Sequence, residues 1–188
     1  PLTYALGDGM PWSLWCELAN AFFPHRNFNP GGERALREAL ARYVTATRPE
    51  ESDDLRYRLR HSAIGYALPD PSAASRDVHA DHRQVVHCLV GGWTPHPSGQ
   101  LDWRTASPYA LAHVVDHARR AETADDLLVE LGLVLRADAA QLLGAFETSR
   151  RADVGEVGRV YRSAMRWPYD ASSLGERAAQ FSLAARQA

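Results

Sequence analysis

Two histidines in "HVVDH", His113 and His117, stand four residues apart, on one face of any helix that carries them. Inverted zinc peptidases hold their metal at that spacing, with glutamate where this chain has Asp116. Catalysis would also need a third ligand and a carboxylate able to act as base, and aspartate is one methylene shorter than the usual residue. Packing within an amphipathic helix explains the pair with fewer parts. In "DVHADHRQVVH", His79 and His82 are three apart and His87 falls on another face, which reads as a solvated helix. His25 and His96 lie in proline-bounded loops and join no constellation. His61 differs from all of these. In "YRLRHSAIGYAL" it stands where an alternating strand runs into an amphipathic helix, and histidine is a poor helix opener if stability alone is at stake.

Other chemistries lack their parts. There is no GxxxxGK[ST], no GxGxxG after a strand and no GxSxG, so neither a phosphate-cradling glycine loop nor an elbow nucleophile is present. Ser62 follows His61 directly, but sequence neighbours at a helix start point to different sides and form no dyad. No catalytic or metal-binding residue is assigned, and the segment is not expected to be an enzyme. The aromatic residues, Trp12, Trp15, Trp103, Tyr109 and Tyr161 among them, gather at helix ends without an interleaved basic stripe. They read as anchors between helices rather than as a stacking platform for bases.

The elements that must position these residues follow from periodicity. Leu14, Trp15, Leu18, Ala19 and Phe22 recur at helical spacing, predicting a helix over 12–22 that Pro24 closes. "NPGGERALREALARYV" predicts another, with Leu36, Ala39, Leu40 and Tyr43 on its apolar side. Alternation in "YVTATR" and "LRYRLR" then predicts a two-stranded hairpin, with Leu55, Tyr57 and Leu59 facing one way and Arg56, Arg58 and Arg60 the other. Helices followed by a hairpin is the order of a winged helix. "PDPSAASRD" marks a linker over 69–77. Beyond it come helices over 78–89, from Ser107 and Pro108 to 121, from Thr123 onward, and over 139–149, 154–166 and 173–185. The expected fold is therefore mainly α: a winged-helix domain with a short β-hairpin over 1–68, a linker, and an α-helical, solenoid-like bundle over 78–188.

Bulk properties narrow the partners. The 188 residues suffice for one ordinary domain or two small ones. With 21 basic residues, all of them arginine, against 23 acidic ones, the net charge of −2 shows no basic excess for nucleic acid or an anionic membrane. Cys16 and Cys88 lie far apart in apolar helical patterns, which predicts buried free thiols and a reducing cytoplasm. No apolar run approaches the length of a membrane span. The opening "LTYALG" reads like the tail of a helix, as in a piece of a longer protein.

The stretches "LTYALGDGMPWSLWCELANAF", "ALREALARYV", "YRLRHSAIGYAL" and "SPYALAHVVDHARRAETADDLLVELGLVLRADAAQLL", in this order, resemble a known region. It lies just downstream of the nucleotide-binding core in STAND-class signalling ATPases, the NACHT and NB-ARC proteins. The similarity is closest to bacterial ones that continue into WD40 or other repeats, and it covers nearly the whole chain. In that family the winged helix packs over the nucleotide, and a histidine between its last strand and the following helix reaches the β-phosphate of ADP. The resemblance implies that His61 is this sensor, holding the closed state; Ser62 stands where the family often has aspartate. The phosphate loop, magnesium ligand and sensor arginine would lie before Pro1, so this segment would carry no cofactor of its own while the parent protein binds ADP or ATP with Mg. Its partners would be the upstream nucleotide-binding domain and the downstream sensor or repeat domain of the same chain, with a homo-oligomer on activation, and neither membrane nor nucleic acid. A winged-helix DNA-binding regulator with a helical dimerisation domain is the alternative, supported by the fold and by Arg56, Arg58 and Arg60.

Overall fold

The computed structural model describes residues 4–48, 55–60, 77–91, 101–166 and 173–187, which are mainly helical with one small sheet. The chain divides into two units, Pro1–Leu89 and Val90–Ala188. Among the described residues no helix is long and apolar enough to cross a membrane.

In the first unit, strand β1 (Met10–Pro11) leads directly into helix α1 (Trp12–Phe22). The helical period holds: Leu14, Trp15, Leu18 and Ala19 are buried together with Cys16. Asn20 closes the following loop with its side-chain amide, donating to the Phe28 carbonyl and accepting from the Phe28 N–H, both at 2.8 Å. A turn at Pro30–Gly32 winds into α2 (Glu33–Leu40). Strands β2 (Val44–Thr47) and β3 (Arg56–Leu59) pair antiparallel, with Val44 opposite Leu59 and Thr47 opposite Arg56.

Two expectations are corrected here. The sheet has three strands rather than two, in the order β1-β3-β2, with Met10 opposite Tyr57. Two residues are too few to show alternation, and Pro11, lacking an N–H, belongs on the edge where it sits. The apolar side expected for α2 is not core: Ala39 is exposed, and Tyr43 lies beyond the end of the helix and is 50% exposed. Tyr43 instead stitches the chain locally, its N–H bonding the Leu40 carbonyl and its carbonyl accepting from the Arg60 N–H, both at 2.8 Å.

What ties α2 to the sheet is polar. The buried Tyr57 phenol donates to the Glu33 carboxylate. Burial first, and then the bond to Glu33 and its charge, push the phenol from 10.0 up to about 12. The neutral phenol is thus favoured in the folded state, so its stabilisation is complete below pH 10 and is lost as pH rises through 12. Tyr57→Phe is expected to remove from the alkaline unfolding curve a step of order 2 kcal/mol between those pH values. Urea midpoints measured at closely spaced pH on both proteins check it; superimposable alkaline limbs would refute it.

Helix α3 (Val78–Gly91) starts at Asp77, whose carboxylate accepts from the His79 N–H at 2.9 Å. Backbone N–H donation from Ala80 chiefly, and from His79, holds the Asp77 carboxyl below its ordinary range. The helix was expected to be solvated at its histidines, and His79 and His87 are exposed; His82 is not. It is buried with Asp81, its ring edge-on to Tyr4 at 5.1 Å while the Tyr4 hydroxyl donates to Asp81. These bonds from Tyr4 explain why α3 groups with the first unit up to Leu89, whereas the composition of the chain sets the linker at 69–77, nearly all of which lies outside the described residues.

The second unit opens with a turn at Trp103–Thr105 and continues through α4 (Pro108–Arg120), α5 (Ala124–Leu128), α6 (Leu131–Val134), α7 (Ala139–Thr148), α8 (Ala152–Ala164) and α9 (Leu174–Gln187). Ser107 caps α4 as its sequence position predicts, accepting from the Ala110 N–H at 3.1 Å with Pro108 in the first turn. The helix ends in a Schellman arrangement: Thr123 N–H bonds Ala118 O at 2.9 Å and Glu122 N–H bonds Arg119 O at 3.1 Å. Glu122 occupies the left-handed position, φ 61°, that glycine usually takes. The single helix expected from Thr123 is broken into α5 and α6, because the chain re-caps at Glu130 to bury Leu127 and Leu128, then Leu133 and Val134. Helix α4 packs against α5 and α7, α7 against α8, and α8 against α9. The α7–α8 crossing is close enough that a Cβ on Gly158 would lie 2.9 Å from Phe146.

Candidate functional site

His61 lies outside the described residues. The strand that leads to it is described, and it is the best-held strand of the sheet. β3 is bonded on one side to β1 and on the other to β2, and Arg60, the last described residue, is fixed by its N–H to Tyr43 O at 2.8 Å and its guanidinium to Ala41 O at 3.2 Å. Tyr57, three residues from the end of that run, is locked by its bond to Glu33 and by the edge of the Trp12 ring at 5.7 Å. Trp12 in turn stacks on Trp15 at 4.6 Å. Whatever follows Arg60 is therefore presented by a strand with little freedom to shift, the footing that a positioned side chain requires.

The histidines of α4 do not assemble a metal centre. His117 is fully buried in the core, and His113 lies half-buried with its ring 4.6 Å from Tyr109. Asp116, the residue that would act as base, pairs with Arg120 at 3.2 Å. Among the described residues no three His, Cys, Asp or Glu side chains gather as a metal would need. His79, His82 and His87 are likewise dispersed, one in the core and two at the surface.

Of the strand arginines, Arg58 and Arg60 are exposed and Arg56 half-buried, which keeps the alternation but makes no patch continuous with α2. There Arg34 is turned onto Glu38 at 3.0 Å.

Sequence reasoning missed a cleft of about 590 Å³ where the C-terminal ends of α4 and α7 meet the start of α5. Arg119, Arg120 and Arg150 line it together with Asp116, Glu122 and Asp125, so the charges balance and no single sign of ligand is selected. The paired arginines of "HARRAE" and "TSRRAD" were the only signal, and neither announces that the two turns meet. Compared with known protein families, curated proteins and solved structures, the chain gives no match.

Proposed function

We propose that this chain is the regulatory winged-helix module and helical arm of a STAND-class signalling ATPase, restraining the ADP-bound state and passing its release to a downstream sensor or repeat domain. The observation that carries the reading is connectivity. Strand, helix, helix, strand, strand, closing in the order β1-β3-β2, is the winged-helix arrangement, and it includes an edge strand that the residue pattern alone did not suggest. A run of short helices follows it, as the resemblance implies. The second support is the footing of β3, whose end is where the sensor histidine of that family stands.

In this reading His61 donates a hydrogen bond to the β-phosphate of ADP held by the upstream domain, more strongly when protonated. The chain itself performs no bond-breaking; it acts by favouring one of two arrangements of its neighbours. The DNA-binding alternative has weaker support, because α2, the helix that would enter the groove, spends Arg34 on Glu38 and the whole chain carries a net charge of −2.

The test is the rate of ADP release from the parent chain with its nucleotide core in cis. His61→Ala is expected to speed release about tenfold, the effect of losing one charge-assisted bond, with His61→Gln intermediate. Equal release rates in all three proteins, with the melting temperature unchanged, would remove His61 from the mechanism.

A further inference from the structure

Helix α8 carries Arg159, Arg162 and Arg166 at spacings of three and four, which puts three guanidinium groups on one face. With Ser163 and with Gln187 of α9 they line a cleft of about 340 Å³, and no acidic residue joins the lining. Arg159 is partly neutralised from outside, by Glu156 at 2.5 Å. Among the described residues Arg162 and Arg166 make no ion pair. Like charges at this spacing repel, and the cost persists until an anion enters between them.

We propose that this cleft binds the phosphate group of a small phosphorylated ligand. Every polar side chain in the lining can donate: three guanidiniums, a hydroxyl and an amide. A tetrahedral phosphate, with several acceptor oxygens, can use donors converging from both helices, whereas a planar carboxylate would leave part of the set idle. Guanidinium forks also match phosphate geometry in pairs. The cleft lies near the C-terminal end of α8, where the helix dipole is unfavourable to an anion. That end is worth roughly half an elementary charge. It is outweighed by the guanidiniums, and two of its carbonyls, Tyr161 O and Ser163 O, already accept from the Met165 and Arg166 N–H groups. The volume suits a phosphate with a small organic body, since small-molecule sites run from roughly 300 to 1,000 Å³. Nucleic acid is disfavoured by the chain's net negative charge. The site is independent of the nucleotide-switch reading above and would survive its failure.

Calorimetric titration of inorganic pyrophosphate into the 188-residue chain at low ionic strength tests it. Saturable one-to-one binding is expected. Arg162→Ala and Arg166→Ala should each weaken it about tenfold, as losing a charge-assisted bidentate contact does, while Arg162→Lys keeps the charge, loses the fork and falls between. Arg119→Ala and Arg150→Ala, in the charge-balanced cleft, should leave the affinity unchanged and so separate a built site from general attraction to arginine. A nucleoside monophosphate titrated in parallel tells an organic phosphate, bound more tightly, from a free inorganic one. Absence of saturable binding, or equal weakening by the α4 and α7 substitutions, overturns the proposal.

Discussion

Trp103→Ala is expected to cost the second unit about 3–5 kcal/mol, most of the stability of a domain of this size. The indole is only 2% exposed. It rests so closely on α6 that a Cβ at Gly132 would stand 2.9 Å from its ring. Its N–H also serves Glu130: burial pushes that carboxyl up, and the bond from the indole works against the shift. Truncation therefore opens a cavity and removes a donor from a partly buried carboxylate at the point where α5 gives way to α6. Trp103→Phe, which keeps most of the volume, is expected to lose roughly 1–2 kcal/mol. Urea denaturation followed by far-ultraviolet circular dichroism measures both. A loss under about 1 kcal/mol in the alanine variant would mean that the short helices collapse onto the vacancy.

In the first unit the largest effect is expected at Gly9. Its φ of 113° lies where L side chains rarely go, and an added Cβ would come within 2.8 Å of the carbonyl carbon and oxygen of Tyr57. Neither obstacle can move cheaply, since the neighbour is backbone of the central strand. Gly9→Ala should therefore cost about 3 kcal/mol, the sum of dihedral strain and steric displacement. Gly7 provides the control. Its φ of 54° is ordinary left-handed backbone, and Gly7→Asn should cost less than about 1 kcal/mol. Hydrogen exchange resolved at the β3 amides would show the difference: protection there should fall in Gly9→Ala and hold in Gly7→Asn. Retained protection in both would mean that β1 can leave β3 without loss to the rest of the sheet.

Where a residue's local pattern decides its fate, the sequence was readable. The 12–22 helix is bounded as its apolar period and prolines require, and Ser107-Pro108 caps the helix it was expected to cap. Legibility stopped where tertiary partners decide. Met10 and Pro11 are a strand only because β3 passes beside them, His82 is buried only because Tyr4 reaches α3, and the helix after Thr123 breaks only because the core takes leucines from two directions. The candidate sites divide in the same way. His113 and His117 advertised chemistry through spacing and turned out to be packing, whereas the arginines of α8 show their common cleft only once α9 lies against them. His61 was legible as a strand-to-helix junction because two periodicities change there.

The two thiols follow from the burial of α1 and α3 and give the first unit its own clock. Cys16 is 3% exposed on α1, while Cys88 is half-buried on α3 with Gln84 beside its sulfur at 3.7 Å. Burial raises both above the ordinary thiol range, so neither is a reactive thiolate at neutral pH. A slow alkylating reagent would then be limited by how often each helix swings out rather than by chemistry, with Cys88 modified first and Cys16 only when α1 parts from the sheet. The ratio of those two rates would report, without any added label, how far the breathing of α3 is separate from that of the strand that leads to His61.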